Sequence, residues 1–124
     1  MPLCEKLGIR VDALEQEAVV LRLAWSPDLC TLGGVLHGGA VMALADSAGA
    51  VCAFLNLTEG AAGTATIESK TNFLGAIRDG AVTARSCPLH KGSTTIVIET
   101  ELRHDSGRLV AKVTQTQAVL APRP

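Results

Sequence analysis

The pattern of apolar and polar positions divides the chain into strands that surround one long apolar segment. Apolar and polar residues partly alternate in Ala18–Ala24, as expected for a strand with one buried face, and Ile9–Val11 is a shorter strand candidate. The segment Val35–Leu57 is apolar almost throughout, and its frequent alanines favour a helix over about His37–Leu55. Small residues nearly all round this predicted helix indicate that other elements pack closely on every side.

The second half of the sequence alternates between strand-forming segments and turns that contain glycine. It predicts a meander of four strands, Thr64–Leu74, Ala81–Cys87, Thr94–Arg103 and Leu109–Leu120, separated by turns at Asp79-Gly80, His90-Lys91-Gly92 and Asp105-Ser106-Gly107. Such a sheet has to bury one face, and the predicted helix is the only large apolar partner. The sequence therefore predicts one α+β domain over residues 1–124, in which an antiparallel sheet curls around one long central helix.

Composition and charge exclude several classes of function. A net charge of −1 and an aromatic fraction of 2% offer neither an electrostatic footprint nor stacking surfaces for nucleic acid or an anionic membrane. An apolar fraction of 48% is high for 124 residues, so part of the apolar surface is expected to lie between subunits. Val35–Leu57 is long enough to span a bilayer, but His37 and Asp46 within it favour a buried core helix.

The four cysteines indicate a reducing compartment. They are widely spaced and form no CxxC pair, which argues against a structural zinc site and favours reduced, mostly buried thiols. The N-terminal residues show no basic segment followed by an apolar run, so no signal peptide is expected. Together these features predict a cytoplasmic protein.

Asp46 is the feature of the apolar segment that needs an explanation. It is the only formally charged residue between Asp28 and Glu59. A buried, unpaired carboxylate is costly, so we expect a partly desolvated Asp46 that accepts hydrogen bonds from Ser47 or from the Thr64–Thr66 segment. A functional role is the favoured interpretation. A structural carboxylate bonded to a loop amide or to a partner chain is the alternative.

The residues around Asp46 resemble a known family. The motif His37-Gly38-Gly39, followed by Asp46 nine residues after the histidine, resembles the acyl-CoA thioesterases of the phenylacetate-pathway type, and the segments Asn72-Phe73-Leu74 and Lys91-Gly92 match as well. The resemblance implies the hotdog fold, in which a sheet wraps a central helix. It also implies aryl-acetyl, benzoyl-like or medium-chain acyl-CoA substrates and a homodimer that often pairs into a homotetramer. We expect such a reaction to need no metal or other cofactor.

Thioester hydrolysis requires donors to the developing oxyanion and a base or nucleophile on the other side of the carbonyl. The first N–H groups of a helix have no intrahelical partner, and glycine lets a carbonyl approach them closely. We therefore expect the Gly39 N–H, with Gly38 assisting, to polarise the carbonyl; an ordinary loop-to-helix turn is the alternative. Asp46 is expected either to activate water or to attack directly.

Three further residues around the motif are site candidates. His37 is expected to fix the turn by bonding a backbone carbonyl, with a secondary role in orienting the thioester, rather than to act as a general base. Thr31 stands where relatives often carry an asparagine or glutamine that helps place the thioester or water. Thr66 matches a position at which relatives hold the attacking water with a hydroxyl, and an ordinary strand residue is the equal alternative.

Basic residues are candidates for binding the phosphates of coenzyme A. The turn Lys91-Gly92-Ser93 is the best of these, because a glycine turn offers backbone donors beside an ammonium group. Lys70 and Arg78 are further candidates, for which a solvated surface charge is the alternative. Glu68 is expected to lie on a solvated strand face.

The spacing of Gly38 and Asp46 predicts a site shared by two chains. Eight residues separate them, or about 12 Å along a helix, so one carbonyl cannot contact both within one chain. A two-fold axis with antiparallel helices would instead bring Gly38 and Gly39 of one subunit to Asp46 of the other, giving two sites per homodimer. Two alternatives remain, a hotdog hydratase or dehydratase that pairs His37 with Asp46 across subunits, and a non-catalytic acyl-CoA-binding protein.

Overall fold

The long helix lies against the inner face of one six-stranded antiparallel sheet. The computed structural model describes all 124 residues. In chain order the elements are α1 (Pro2–Leu7), β1 (Arg10–Leu14), β2 (Val19–Ala24), a 3-10 turn (Pro27–Leu29), α2 (Gly38–Leu55), β3 (Gly63–Phe73), β4 (Ala81–Lys91), β5 (Thr95–His104) and β6 (Leu109–Leu120). The predicted α+β architecture, a sheet curled around one helix, is confirmed.

The order of the strands corrects the predicted four-strand meander. The sheet runs β1-β2-β4-β5-β6-β3, so β4, β5 and β6 form consecutive antiparallel pairs while β3 lies beyond them at the far edge. There β3 pairs with β6 from Gly63↔Leu120 to Phe73↔Ala111. The turn signal at Asp79-Gly80 therefore ends a crossover rather than a hairpin, because local turn chemistry does not determine which strand a segment pairs with.

Nineteen buried apolar residues form one continuous core between α2 and the sheet. From β5, the alternating residues Ile96, Ile98 and Leu102 are fully buried, as their period of two predicts. From α2, Leu44 and Ala48 are among the side chains packed beneath the sheet. By length and composition alone α2 could cross a membrane, with a mean hydropathy of 1.6, but 44% of it is buried inside the fold. α2 is thus the predicted core helix, and part of its surface is uncovered.

Strand β4 is longer than its sequence suggests. The sequence predicts that this strand ends at Cys87, yet β4 continues to Lys91, with a bulge between Pro88 and His90. β2 pairs with β4 only as far as Val19↔Ser86, so one side of β4 has no neighbouring strand at Pro88. A proline, which lacks the N–H donor, is tolerated at such an edge.

The first residues form a helix that the sequence analysis missed. In α1, Pro2 occupies the first turn, and Gly8, with φ of +74°, ends the helix in the left-handed conformation. Cys4 is buried, and its thiol donates to the Ser47 hydroxyl of α2 at 3.3 Å. Six residues are too few for a helical period to show, so only the proline and glycine could have signalled this helix. β1 likewise runs over Arg10–Leu14 instead of Ile9–Val11.

The four free cysteines should differ sharply in reactivity. Cys4 and Cys52 are buried, whereas Cys30 and Cys87 are partly exposed. Burial, with a smaller contribution from the charge of Cys87, raises the pKa of Cys52 from 9.0 to about 11, so this thiol stays protonated at pH 8. We expect a disulfide reagent such as DTNB to titrate two thiols quickly at pH 8 and the other two only after denaturation. Four equally fast thiols would contradict the packing of α1 and α2.

Candidate functional site

A short anchored loop positions the start of α2. The Leu36 N–H donates to the Ile77 carbonyl and the His37 N–H to the Leu29 carbonyl, both at 2.8 Å. Between these anchors and Thr31, the chain reverses through Gly33 and Gly34, whose φ angles of +93° and +76° suit glycine. The glycine pair before the motif therefore builds the turn, and the pair after His37 begins the helix.

His37 is the N-cap of α2. Its Nδ1 accepts the Gly39 N–H at 2.8 Å, which requires a neutral ring with its proton on Nε2. The expectation that the ring bonds a backbone carbonyl is thus corrected, because it accepts from a backbone N–H instead. The ring nevertheless fixes the turn, as expected. The Gly39 N–H is consequently occupied, and the Gly38 N–H is the one that has no hydrogen-bond partner.

An apolar cavity of about 370 Å³ lies beside Gly38. Thr31, Gly38, Phe73 and Ile77 are among its lining residues, so two of the predicted site residues share one cavity. A Cβ at Gly38 would stand only 3.1 Å from the Phe73 ring, so glycine allows the ring to pack against the helix start. The Thr31 hydroxyl donates to the Leu32 carbonyl at 3.1 Å, within its own loop.

Asp46 lies on the part of α2 that the sheet does not cover. The side chain is exposed in the single chain, so the predicted desolvation is not met by this chain alone. Its Oδ1 accepts hydrogen bonds from Gln115 Nε2 at 2.6 Å and from Thr66 Oγ1 at 3.3 Å, and Oδ2 has no partner. No cation pairs with this carboxylate. One of the two predicted donor groups, the Thr64–Thr66 segment, is therefore found, while Ser47 contacts Cys4 instead.

Two glutamines that the sequence analysis missed complete this polar cluster. Gln115 and Gln117 of β6 are fully buried, and both face α2. Gln117 Nε2 donates to Thr66 Oγ1 at 2.7 Å, which leaves the Thr66 proton available for Asp46. The signal that could have found them is the period of two in β6, since Gln115 and Gln117 continue the buried face formed by Ala111 and Val113.

A β-bulge at Ile67 decides which residues of β3 reach Asp46. Thr66 pairs with the inward-facing Gln117, but Glu68 pairs with the outward-facing Thr116, because the register shifts between them. Without the extra residue, Thr66 and Glu68 would share a face. Glu68 and Lys70 consequently lie on the outer face of the sheet, where Lys70 Nζ donates to Asn72 Oδ1 at 2.7 Å. The fold brings Thr66 to Asp46 and does not bring Lys70 there.

The turn Lys91-Gly92-Ser93 connects β4 and β5 at the opposite end of β4 from Ala81. The Gly92 N–H donates to the Thr95 carbonyl at 2.8 Å, and a Cβ at Gly92 would stand 2.8 Å from that same oxygen. Glycine is therefore required for this turn to close. Within one chain this turn makes no hydrogen bond to the Asp46 cluster. Arg78, a further candidate for binding phosphate, donates from its guanidinium to the Gly33 carbonyl. No group of three His, Cys, Asp or Glu side chains is arranged to hold a metal ion.

The fold and the site together define a class. A sheet wrapped around one long helix, with glycines at the helix start and an acid two turns further on, is the hotdog class. Solved structures agree: the chain superimposes on a thioesterase from Haemophilus influenzae with a TM-score of 0.90 and 28% identity, covering 96% of this chain and 82% of that one. A variant of a thioesterase from Pseudomonas aeruginosa gives 0.89 and 30%, covering 95% and 85%.

Sequence comparison identifies the family. The model of the thioesterase superfamily matches residues 33–111, more than half of the chain. A Saccharolobus solfataricus protein classed as an esterase is 36% identical over 106 residues, covering 86% of this chain and 74% of its own. The 1,4-dihydroxy-2-naphthoyl-CoA hydrolase of Escherichia coli is 38% identical over 87 residues, covering 70% and 63%. The chain belongs to the thioesterase superfamily, and its reaction class is thioester hydrolysis.

The cap at His37 should contribute measurably to stability. Replacing His37 with alanine removes the acceptor for the Gly39 N–H, so we expect a loss of about 1 kcal/mol in the free energy of unfolding. His37→Asn, which keeps a good capping acceptor, should retain most of it. Urea denaturation of the three proteins measures the difference. Equal stability of the alanine and asparagine variants would show that the cap contributes nothing.

Proposed function

We propose that this protein hydrolyses an aryl- or medium-chain acyl-CoA to the free acid and coenzyme A, with Asp46 as the reacting group. One observation carries the proposal: Thr66 and Gln115 hold Oδ1 of Asp46 while Oδ2 is free and the side chain is exposed. A carboxylate oriented by neutral donors, with one oxygen available, suits a general base or a nucleophile. The similarity to 1,4-dihydroxy-2-naphthoyl-CoA hydrolase supports an acyl-CoA substrate.

The start of α2 is the proposed donor to the thioester carbonyl. The Gly38 N–H has no partner, and the positive end of the helix dipole favours the negative charge that develops on the oxygen. Gly39 can join it only when the His37 ring moves away from its N–H. The aliphatic and aromatic walls of the cavity beside Gly38 and Thr31 suit the apolar parts of the substrate.

Asp46 can act in two ways that differ in the bonds formed. As a base, it takes a proton from water, whose oxygen adds to the carbonyl carbon before the C–S bond breaks and the thiolate leaves. As a nucleophile, Oδ2 adds to the carbonyl carbon, the C–S bond breaks and the thiolate leaves, and water then hydrolyses the resulting mixed anhydride. A single turnover in ¹⁸O-labelled water, followed by mass spectrometry of the peptide containing Asp46, tests for the anhydride, because label enters Asp46 only when the carboxylate has attacked directly and water has opened the anhydride at the aspartyl carbonyl.

Two features of the chain surface support a homodimer with shared sites. The uncovered stripe of α2, defined by Gly39, Met42, Ala43, Asp46, Ala50 and Phe54, exposes apolar side chains, including 41% of Met42 and 58% of Phe54. Beside it, the eleven-residue β3 is an edge strand with one unpaired side, which soluble proteins normally cover. A second chain on this surface would bury Asp46 and bring the partner's helix start to it. Pairing of dimers into a tetramer extends the same proposal.

The binding of coenzyme A and the cellular location complete the proposed function. We assign the phosphates of coenzyme A to the turn Lys91-Gly92-Ser93, where the ammonium group of Lys91 is exposed to solvent. Lys70, on the outer face of β3, is the secondary candidate. The four free cysteines suit the reducing cytoplasm.

The rival functions have distinct signatures. A hydratase would need a free histidine opposite Asp46, but His37 Nδ1 accepts the Gly39 N–H. Activity on a β-hydroxyacyl-CoA in preference to a saturated one would favour it. Tight acyl-CoA binding without release of thiol would favour a binding protein.

Removing the charge of Asp46 should strongly lower kcat without disturbing the fold. In Asp46→Asn, the amide keeps the shape of the carboxylate but is neither a base nor a nucleophile. We expect kcat to fall at least about a hundredfold, with little change in KM. The assay is thiol release from phenylacetyl-CoA, benzoyl-CoA and hexanoyl-CoA, with a substrate-free blank for the protein's own thiols. Wild-type rates in Asp46→Asn on every substrate would refute the assigned role.

A shared site predicts complementation between two inactive variants. Gly38→Pro removes the free N–H at the first helical position, where the backbone tolerates proline because the preceding His37 is extended, with ψ of 131°, and its ring displaces the adjacent Phe73 side chain. Asp46→Ala removes the carboxylate. When equal amounts are unfolded and refolded together, half of the dimers are mixed and each has one intact site, so about a quarter of wild-type activity should return. Activity that stays at the level of the separate variants would show that the sites are not shared.

A further inference from the structure

Gln115 is an unusual residue for the position that it occupies. It lies in β6, between β5 and β3, where it pairs with Ile98 on one side and Ser69 on the other. Its side chain is fully buried on the face that packs against α2. Its Nε2 is 2.6 Å from Asp46 Oδ1 and 3.4 Å from Thr66 Oγ1. A rigid central strand thus delivers an amide donor to the exposed carboxylate.

The contact is made at a cost to the fold. The other polar atom of the amide, Oε1, is buried without a hydrogen-bond partner, and the same holds for Oε1 of Gln117. Buried polar atoms normally find partners, so an apolar side chain of similar size would suit this part of the core better. Positions that break a local packing rule in this way tend to serve function.

The facing helix is adapted to this side chain. Gly49 lies on α2 within one turn of Asp46, and a Cβ there would overlap Gln115 Oε1. Glycine in the middle of a helix is less stabilising than alanine, so α2 carries a residue of low helix propensity at the point where Gln115 packs against it. Gly49 and Gln115 together fix the direction from which Nε2 reaches the carboxylate.

We propose that Gln115 is a positioning residue for Asp46. Its charge-assisted hydrogen bond anchors Oδ1 and thereby directs Oδ2 toward the reacting carbonyl or its water. Gln117 acts on Asp46 indirectly: its Nε2 donates to the Thr66 hydroxyl at 2.7 Å, and that hydroxyl donates to Asp46. This inference rests on the proposed function of Asp46, because a positioning residue has a role only if the carboxylate reacts.

The test compares apolar replacements of Gln115 with the removal of the carboxylate itself. Gln115→Leu and Gln115→Met remove the donor and keep the volume, and two shapes guard against a packing defect in either. The substrate is whichever of phenylacetyl-CoA, benzoyl-CoA and hexanoyl-CoA the wild type hydrolyses fastest. We expect kcat to fall at least tenfold in both variants, while KM changes less than threefold. The melting temperature should stay at or above that of the wild type. Gln117→Met should lower kcat less, since it reaches Asp46 only through Thr66.

The control is a buried polar pair elsewhere in the same sheet. Thr100→Val breaks the buried hydrogen bond between the Ser86 and Thr100 hydroxyls, which does not touch Asp46. It should lower the melting temperature and leave kcat within twofold. Gly49→Ala disturbs the same contact from the helix side, because the added Cβ would displace the Gln115 amide. It should therefore lower kcat as the Gln115 variants do.

A double variant separates this inference from the function on which it rests. If Gln115 acts through Asp46, adding Gln115→Leu to Asp46→Asn should lower kcat by less than twofold more. Wild-type kcat in Gln115→Leu and Gln115→Met, with Asp46→Asn inactive, would overturn the positioning role and leave the proposed function intact. A further tenfold loss in the double variant would also overturn it. Full activity in Asp46→Asn would instead refute the proposed function.

Discussion

The packing of α2 against the inner face of the sheet is the constraint on which the rest of the structure depends. One side of this helix contributes Leu44 and Ala48 to the core, and the opposite side carries Asp46. Its first residue, Gly38, lies beside a cavity that the same sheet lines. The helix therefore cannot shift without disturbing both the core and the site. Catalytic groups on such an element gain the rigidity of the core.

The polar cluster follows from the same packing. Asp46 has no cationic partner, and neutral donors from β3 and β6 hold one of its oxygens. An ion pair would engage the carboxylate with a competing charge, whereas hydroxyl and amide donors orient it and leave the second oxygen free. The bulge at Ile67 turns Thr66 toward this cluster and sends Glu68 to the other face. Within this cluster, the buried Oε1 atoms of Gln115 and Gln117 remain without partners, which is a departure from ordinary core packing.

The uncovered stripe of α2 and the unpaired edge of β3 lie next to each other, and both are surfaces that soluble proteins normally cover. The sheet covers only part of an apolar helix, and its last strand has an unpaired side. Both surfaces border Asp46, whose desolvation the sequence predicts and the single chain does not supply. The proposed second copy of the chain would cover all three features at once.

Much of this fold was predictable because it depends on local patterns. The alternation in β5 correctly placed Ile96, Ile98 and Leu102 in the core, and the alanine-rich segment correctly predicted α2. The motif from His37 to Asp46 indicated that α2 carries the candidate site. The predicted β4 stopped at Cys87, whereas the strand continues past Pro88, where β2 has already ended and the missing N–H of proline is tolerated. It also overlooked α1, which is shorter than the pattern needed to detect it.

The sequence by itself determined the helix, most strands, the glycines at the helix start and the acid two turns beyond them, because these depend on neighbours within a few residues. Only the tertiary structure decided that β3 lies beside β6, that Thr66 and not Glu68 faces α2, and that Asp46 is exposed in one chain. It alone brought Gln115 to Asp46 across 69 residues of sequence. That contact depends on strand register and on the space left by Gly49, and no local propensity encodes either.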